Sequence, residues 1–443
     1  MEWFEVKNNI YACLEIGNAE ARIIICNIRD ERLYVLSQQT IEVVGIESGS
    51  VSNVNQIVQS LKILKQNVET DLNQQIQEVL LSIPAVDVTI ENVTTTLELN
   101  ENQPIDSANI KELFRNVISH QASEDLVVVT SLPTEFKVDN QSAIQNPHGK
   151  KGKRLTMEAQ KLLAPAMMVY NLINVVELAG FRIADIVLGS VVEALYIPNT
   201  QQTRRDICHV NIGKATTTIT VLHSGIVDST KAWSFGGGNV TKDISEAFAI
   251  DEKQAEMLKV NFGRVKTNAY PDEIIYVNEV EGELTCITRQ MLEEVITARY
   301  EKIFRVVRQY LNENAYKSSE IQYFLTGGAS EIEGGLDLAK EILSEESVIY
   351  RPSMLGVRHA KYARLIGMAI FAHEMALLTE QKSNIIDLTQ YDDEYLPKND
   401  YQNRIENNVE NVTAEEQSFM DQKLETNGVI VRLFDKIFDE KAK

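Results

Sequence analysis

Three β-branched apolar runs open the patterned part of the chain, Ile10–Ile16, Ala21–Ile28 and Leu33–Val44, divided by Gly17-Asn18 and by Arg29-Asp30-Glu31. Short apolar runs bounded by turn residues predict a strand meander. Over Val54–Glu69 the period changes, with Ile57, Leu61, Leu64 and Val68 recurring every three or four residues, so an amphipathic helix is predicted there. The run Glu78–Ile83 then predicts a closing strand. The same order returns in 203–260, where Ile207–Ile212, Thr217–Leu222 and Val227–Trp233 precede a helix predicted to begin near Thr241. Two related halves imply a cleft between them. The stretch 84–161 places strands at Val86–Val93 and Leu126–Leu132 around a helix near Ser107–Gln121, which reads as a separate α+β unit.

From about Lys382 to Asn427 the pattern gives way to Asn, Gln, Asp and Glu with few apolar residues. Such a segment cannot bury enough surface to order itself and is expected to be a flexible acidic linker. Periodicity returns in Gly428–Lys443, where Val429, Ile430, Leu433, Phe434, Ile437 and Phe438 form one apolar stripe, with Arg432, Asp435, Lys436, Asp439 and Glu440 opposite. A terminal helix docked on the core would show the same stripe. A long linker would be pointless for such a helix, so a lipid bilayer surface is the expected partner. The near-balanced charges of its polar face promise little attraction to anionic lipid.

Composition narrows the function classes. The 443 residues are 44% hydrophobic and 24% charged, as in a folded multidomain protein. A formal net charge of −21, with no Lys/Arg-dense stripe, repels phosphate backbones and argues against nucleic acid as a partner. Cys13, Cys26, Cys208 and Cys286 are too scattered for a metal pair or a disulfide framework and are expected to be buried, reduced thiols. No leader or spanning run is apparent in the sequence.

Three loops could meet a phosphate or a nucleoside. In Phe324-Leu325-Thr326-Gly327-Gly328-Ala329-Ser330 a strand ends in paired glycines that allow close backbone approach to a ligand. Asn211-Ile212-Gly213-Lys214-Ala215-Thr216-Thr217-Thr218 is a hairpin turn with hydroxyls at hand, and Glu15-Ile16-Gly17-Asn18-Ala19-Glu20 is the matching turn of the first half. Each alone reads equally well as a plain tight turn or hairpin.

Their order, together with Leu132-Pro133-Thr134-Glu135-Phe136-Lys137-Val138-Asp139, Asn146-Pro147-His148-Gly149 and Gly152-Lys153-Arg154-Leu155, resembles the FtsA family of actin-like ATPases. Gly236-Gly237-Gly238-Asn239-Val240-Thr241-Lys242-Asp243-Ile244 and Ala255-Glu256-Met257-Leu258-Lys259 extend the likeness over about 10–375. The resemblance implies a two-lobed α/β actin-like (ribonuclease H-like) fold with an inserted subdomain. The expected division is 1–83 with 162–202 as subdomain 1A, 84–161 as the insert 1C, 203–245 with 321–381 as 2A, 246–320 as 2B, 382–427 as linker and 428–443 as the membrane-targeting helix.

It implies ATP and magnesium as ligands, with Gly327, Gly328 and Ser330 around the adenosine, Glu256 and Lys259 at ribose and base, and Gly17, Asn18, Gly213, Lys214, Thr216 and Thr217 at the phosphates. The family places aspartates where Glu15 and Asn211 stand, at the magnesium, so a weakened metal site and feeble hydrolysis are expected. Lys214-Ala215 replaces a Gly-Gly pair, and Glu20 a lysine. Further implied are recruitment of the FtsZ C-terminal peptide by a helix over Met291–Tyr310, with Arg299, Arg305 and Arg308 as candidate grips, self-association as dimer or filament, and work at the cytoplasmic side of the membrane at the division site. Two other readings are an MreB-like membrane filament and a small-molecule kinase. The first would lack the 132–155 signature, and the second needs intact metal ligands.

Overall fold

A computed structural model describes residues 10–380, apart from 30, 48, 77, 101–102, 120–124, 140, 197–205, 267–271, 281–282 and 318–320. The expected linker and C-terminal helix lie outside these residues.

The first lobe is built on the meander β1 (Ile10–Ile16), β2 (Glu20–Arg29) and β3 (Arg32–Glu42). A small ribbon, β4 (Ile46–Glu47) and β5 (Ser50–Val51), leads into helix α1 (Val54–Leu72). Asn53 caps α1 by accepting from the Gln56 amide at 3.1 Å, and Ile57, Val58, Leu61, Leu64 and Val68 form its buried stripe. Strand β6 (Glu78–Ile83) then pairs in parallel with β1.

An antiparallel sheet of β7 (Thr89–Glu98), β8 (Leu126–Val138) and β9 (Arg154–Pro165), with β9 central, carries helix α2 (Ser107–Ser119). Helix α3 (Ala166–Leu178) returns to the first sheet, which β10 (Arg182–Leu188) completes in the order β10-β6-β1-β2-β3 before helix α4 (Gly189–Leu195).

The second lobe repeats the plan. Strands β11 (Ile207–Ile212), β12 (Thr217–His223) and β13 (Ile226–Trp233) form a meander, followed by helices α5 (Gly237–Phe248) and α6 (Glu252–Phe262). A ribbon of β14 (Ile274–Val280) and β15 (Glu283–Thr288) precedes the long helix α7 (Arg289–Glu313). Strands β16 (Gln322–Thr326) and β17 (Val348–Ile349), separated by helix α8 (Gly335–Ile342), finish the sheet as β13-β12-β11-β16-β17. Both five-stranded sheets are thus a three-stranded antiparallel meander extended by two parallel strands. Helix α9 (Ala363–Thr379) packs back on α4 and on β1 of the first lobe. This is an actin-like architecture with an inserted subdomain.

Several details depart from the sequence reading. Helix α5 starts at Gly237 rather than near Thr241, because the Gly236–Gly238 backbone docks on the β11–β12 turn: the Gly237 and Gly238 amides donate to the Gly213 and Lys214 carbonyls at 2.9 and 2.6 Å. Cys13, Cys26 and Cys208 are buried, but Cys286 is exposed, since its two-stranded ribbon leaves it uncovered. The insert is clipped to the second lobe by Gln160 of β9, whose amide donates to the Val227 carbonyl at 2.8 Å and accepts from the Val227 amide at 3.0 Å. Among the described residues no helix is long and apolar enough to cross a membrane.

Candidate functional site

The two meander hairpins turn identically. The Gly17 amide donates to the Glu20 carbonyl at 2.9 Å, and the Gly213 amide to the Thr216 carbonyl at 2.8 Å. Asn18 is half-buried in the first turn, and Lys214 is exposed in the second beside half-buried Thr216. Thr217 is fully buried and gives its hydroxyl to the Phe235 carbonyl at 2.8 Å, so it holds the glycine loop rather than facing open space.

After β16 the chain makes its close approach to β11. Gly327 has φ +85°, and a Cβ there would lie 2.4 Å from the Ile212 carbonyl oxygen, so only glycine fits. A Cβ on Gly328 would meet nothing within 4 Å, which leaves that backbone open to a ligand. Ser330 is buried and donates its hydroxyl to the Gly327 carbonyl at 2.8 Å, bracing the loop from within.

Helix α6 brings Glu256 and Lys259 to the same place. The Lys259 ammonium donates to Glu256 Oε2 at 2.6 Å, to Thr241 Oγ1 at 2.8 Å and to the Gly237 carbonyl at 3.0 Å. Burial pushes the Lys259 ammonium down against the upward pull of Glu256. Burial would raise the Glu256 carboxyl, but bonds from Lys259 and Thr241 leave it below the usual carboxylate range. Tyr300 of α7 donates to the Ala329 carbonyl at 2.5 Å. The Gly-Gly loop, the Gly236–Gly238 loop, the second hairpin and Glu256 with Lys259 therefore meet in one glycine-rich wall.

Of the floor of the cleft, the sequence pointed to Glu15 and Asn211 but not to Arg364, Glu193 or His209. Arg364, in the first turn of α9, reaches between the lobes and donates from Nη1 to Glu15 Oε1 at 2.5 Å and from Nε to Glu193 Oε2 at 3.1 Å. Glu193, on α4 and wholly buried, also accepts from Asn211 Nδ2 at 3.0 and 3.1 Å, with His209 Nε2 at 3.4 Å. Asn211 and His209 both reach Thr326 Oγ1, at 3.1 and 2.7 Å. Arg22 Nη2 stands 3.6 Å from Glu15 Oε2. Burial would raise the Glu193 carboxyl, but His209 and Arg364 hold it at about 2. Burial opposes the charge on Arg364, yet Glu15 and Glu193 raise its pKa.

An actin-like ATPase fold suggests a nucleotide with a divalent metal in this cleft. The donor set here does not fit magnesium, which is held in octahedral geometry by one or two free carboxylates together with waters and substrate phosphates. Glu15 Oε1 is bonded to Arg364 while Oε2 has Arg22 3.6 Å away and no hydrogen bond, both oxygens of Glu193 are already bonded, and Asn211 turns its amide donor to Glu193 rather than offering an anionic oxygen. Among the described residues no three His, Cys, Asp or Glu side chains converge as a metal-holding group.

The three arginines named for peptide binding do not act together. Arg299 is committed to Asp243 through two bonds of 2.5 Å. Arg305 and Arg308 are exposed and line a cavity of about 550 Å³ between α7 and α8, with Gln309, Asn312, Glu341 and Ile342. Arg305 pairs with Glu301 at 3.2 Å, and Arg308 donates to the Ile342 carbonyl at 3.1 Å. Val429, Ile430, Leu433, Phe434, Ile437 and Phe438 lie outside the described residues.

Comparison with known proteins gives a consistent picture. A family model described as "Cell division protein FtsA" matches residues 208–367, and one described as "SHS2 domain inserted in FTSA" matches 86–162, together more than half of the chain. The cell division protein FtsA of Bacillus subtilis (strain 168) is 24% identical over 378 residues, covering 85% of this chain and 86% of that protein. FtsA of Escherichia coli (strain K12) is 24% identical over 350 residues, covering 76% and 83%. Among solved structures, a chain of the PilM-PilN type IV pilus biogenesis complex superposes with a TM-score of 0.57 at 12% identity, covering 82% of this chain and 98% of that one. MreB5 of Spiroplasma citri bound to ADP superposes with a TM-score of 0.50 at 12% identity, covering 84% and 98%. At such identities the structural matches establish the fold alone.

Proposed function

Because the chain belongs to the FtsA family of actin-like cell division proteins, we propose that it is an adaptor linking FtsZ filaments to the cytoplasmic face of the membrane at the division site. The observation that carries this reading is the inserted subdomain, β7–β9 with α2, matched as the SHS2 domain of FtsA on an actin-like frame. The six apolar positions of Val429–Phe438 supply the membrane contact, and 382–427 the tether. Burying those side chains is favourable, but folding and immobilising the helix consume much of the gain, so one copy binds reversibly. Firm attachment then comes from several anchors joined by self-association or along a polymer. The carboxylate-bearing FtsZ tail docks in the α7/α8 groove, where Arg305 and Arg308 face solvent. Arg299 serves α7 itself through Asp243, so its removal would disturb the helix rather than report on a peptide.

The cleft binds adenine nucleotide on its glycine-rich wall and turns it over poorly, since the positions that would organise a metal are otherwise engaged. A kinase is disfavoured by the same positions, and an MreB-like filament protein by the SHS2 match.

Reconstitution tests the adaptor reading in one experiment. Liposomes should pellet an FtsZ C-terminal peptide only in the presence of intact protein. Deleting Gly428–Lys443 should abolish pelleting of both. Arg305→Glu with Arg308→Glu should leave the protein on the liposomes and weaken the peptide about tenfold, or ~1.4 kcal/mol. Undiminished pelleting of the deletion variant would place the membrane contact elsewhere.

A further inference from the structure

We propose that Arg364 takes the place of the divalent cation, making this a nucleotide cleft whose floor is complete without metal. The inference rests on the nucleotide reading above and deepens it by naming the form of ligand bound, a nucleoside polyphosphate free of magnesium.

Charge comes first. The floor holds two carboxylates, Glu15 and Glu193, and two guanidiniums, Arg22 and Arg364, so it is already balanced. Its side chains are 7% and 0% exposed for the acids and 15% exposed for Arg364. A divalent ion entering this enclosed cluster would leave two positive charges without partners among its side chains, and unpaired charge is costly to desolvate in a medium this dry. In a metal-dependent cleft, bare carboxylates repel the polyphosphate until a cation bridges them. Here the bridging charge is covalently part of the protein.

The position is also built. A Cβ on Gly189, where α4 begins, would lie 2.7 Å from Arg364 Cδ and 2.1 Å from Ser82 Oγ, so the arginine stem runs in a channel that glycine leaves open. One turn further along α9, a Cβ on Gly367 would sit 3.0 Å from Glu193 Cα, so α9 and α4 touch backbone to backbone and set Arg364 against Glu193. The helix alone gives no reason for an arginine there. A cation in the first turn opposes the macrodipole, so its stabilisation comes from Glu15 and Glu193. The neutral Asn211 fits the same logic, because an aspartate against Glu193 would add an anion that the two arginines could not balance.

The test uses the full chain. ATP affinity should agree within about twofold in EDTA and in millimolar magnesium, and nucleotide-free wild type should leave the paramagnetic resonance signal of free Mn²⁺ unchanged. Arg364→Ala, which frees two carboxylates, should gain saturable Mn²⁺ binding and melt higher in magnesium than in EDTA; Arg364→Lys should remain indifferent to both ions. A drop in wild-type ATP affinity of about tenfold or more on chelation would overturn the proposal. So would saturable Mn²⁺ binding by nucleotide-free wild type, or a folded Arg364→Ala that ignores Mn²⁺. If the alanine variant does not fold, the wild-type measurements decide. Absence of ATP binding under every condition would refute the nucleotide reading, and the Mn²⁺ measurements on nucleotide-free wild type would still decide the role of Arg364.

Discussion

Glu193→Ala should cost the protein about 3–5 kcal/mol, because it removes one partner from a buried charge pair and leaves Arg364 with Glu15 alone and the Asn211 amide and His209 ring with Thr326 alone. Thermal melts near neutral pH should fall by about 4–6 °C. The pH dependence identifies the cause. The Glu193 carboxyl is held at about 2 against an ordinary value of 4.5, so its contribution is fully present above pH 4.5 and is lost as pH falls from there towards 2. The stability gap between wild type and variant should therefore be widest at neutral pH and close as the solution is acidified through that window. A gap that stays constant down to pH 2 would mean that the loss is one of packing alone.

Two neighbouring glycines should respond in opposite ways. Gly327→Ala places a Cβ within 2.4 Å of the Ile212 carbonyl oxygen and 2.9 Å of Asn211 Oδ1, at a φ of +85° and a ψ of 159° where side chains are hardly tolerated. Strain and forced displacement of β11 together should cost about 2–5 kcal/mol, read from urea unfolding. Gly328→Ala meets nothing within 4 Å and should change stability by about 0.5 kcal/mol or less. Loss of thermal stabilisation by ATP in Gly328→Ala would then report a lost ligand contact, since the loop itself is intact. An equal loss of stability in both variants would show that the glycine pair serves the turn and nothing else.

The strands of both meanders and helix α1 could be read from the sequence because their burial follows the local period: Ile57, Leu61, Leu64 and Val68 are all fully buried. Strand β9 could not. Its Gln160 and Lys161 break the apolar pattern, yet both are buried, Lys161 against Glu91 at 2.7 Å and Gln160 against Val227. Strand β8 runs on past Pro133, where a stop was expected, because a register shift between Pro133 and Glu135 accommodates the missing donor. The glycine loops were visible as glycine loops, and Glu15 and Asn211 as floor positions, whereas their partners were not. Arg364 and Glu193 stand in largely apolar helices, 171 positions apart, and nothing local says that they meet. The sole available signal was that an arginine and a glutamate in such surroundings must find partners. Arg299 shows the converse, a basic residue that looks like a recognition element until Asp243, 56 positions away, is seen to hold it.

The Gln160 clip has a consequence for solubility during assembly. Strand β13 lies at the margin of its sheet, and an unpaired strand margin offers its amides and carbonyls to any passing extended chain. The carboxamide of Gln160 satisfies the Val227 donor and acceptor together, imitating one rung of a neighbouring strand without supplying a strand that could itself be extended. The inserted subdomain thus works as a stopper on an otherwise sticky border, limiting edge-to-edge aggregation.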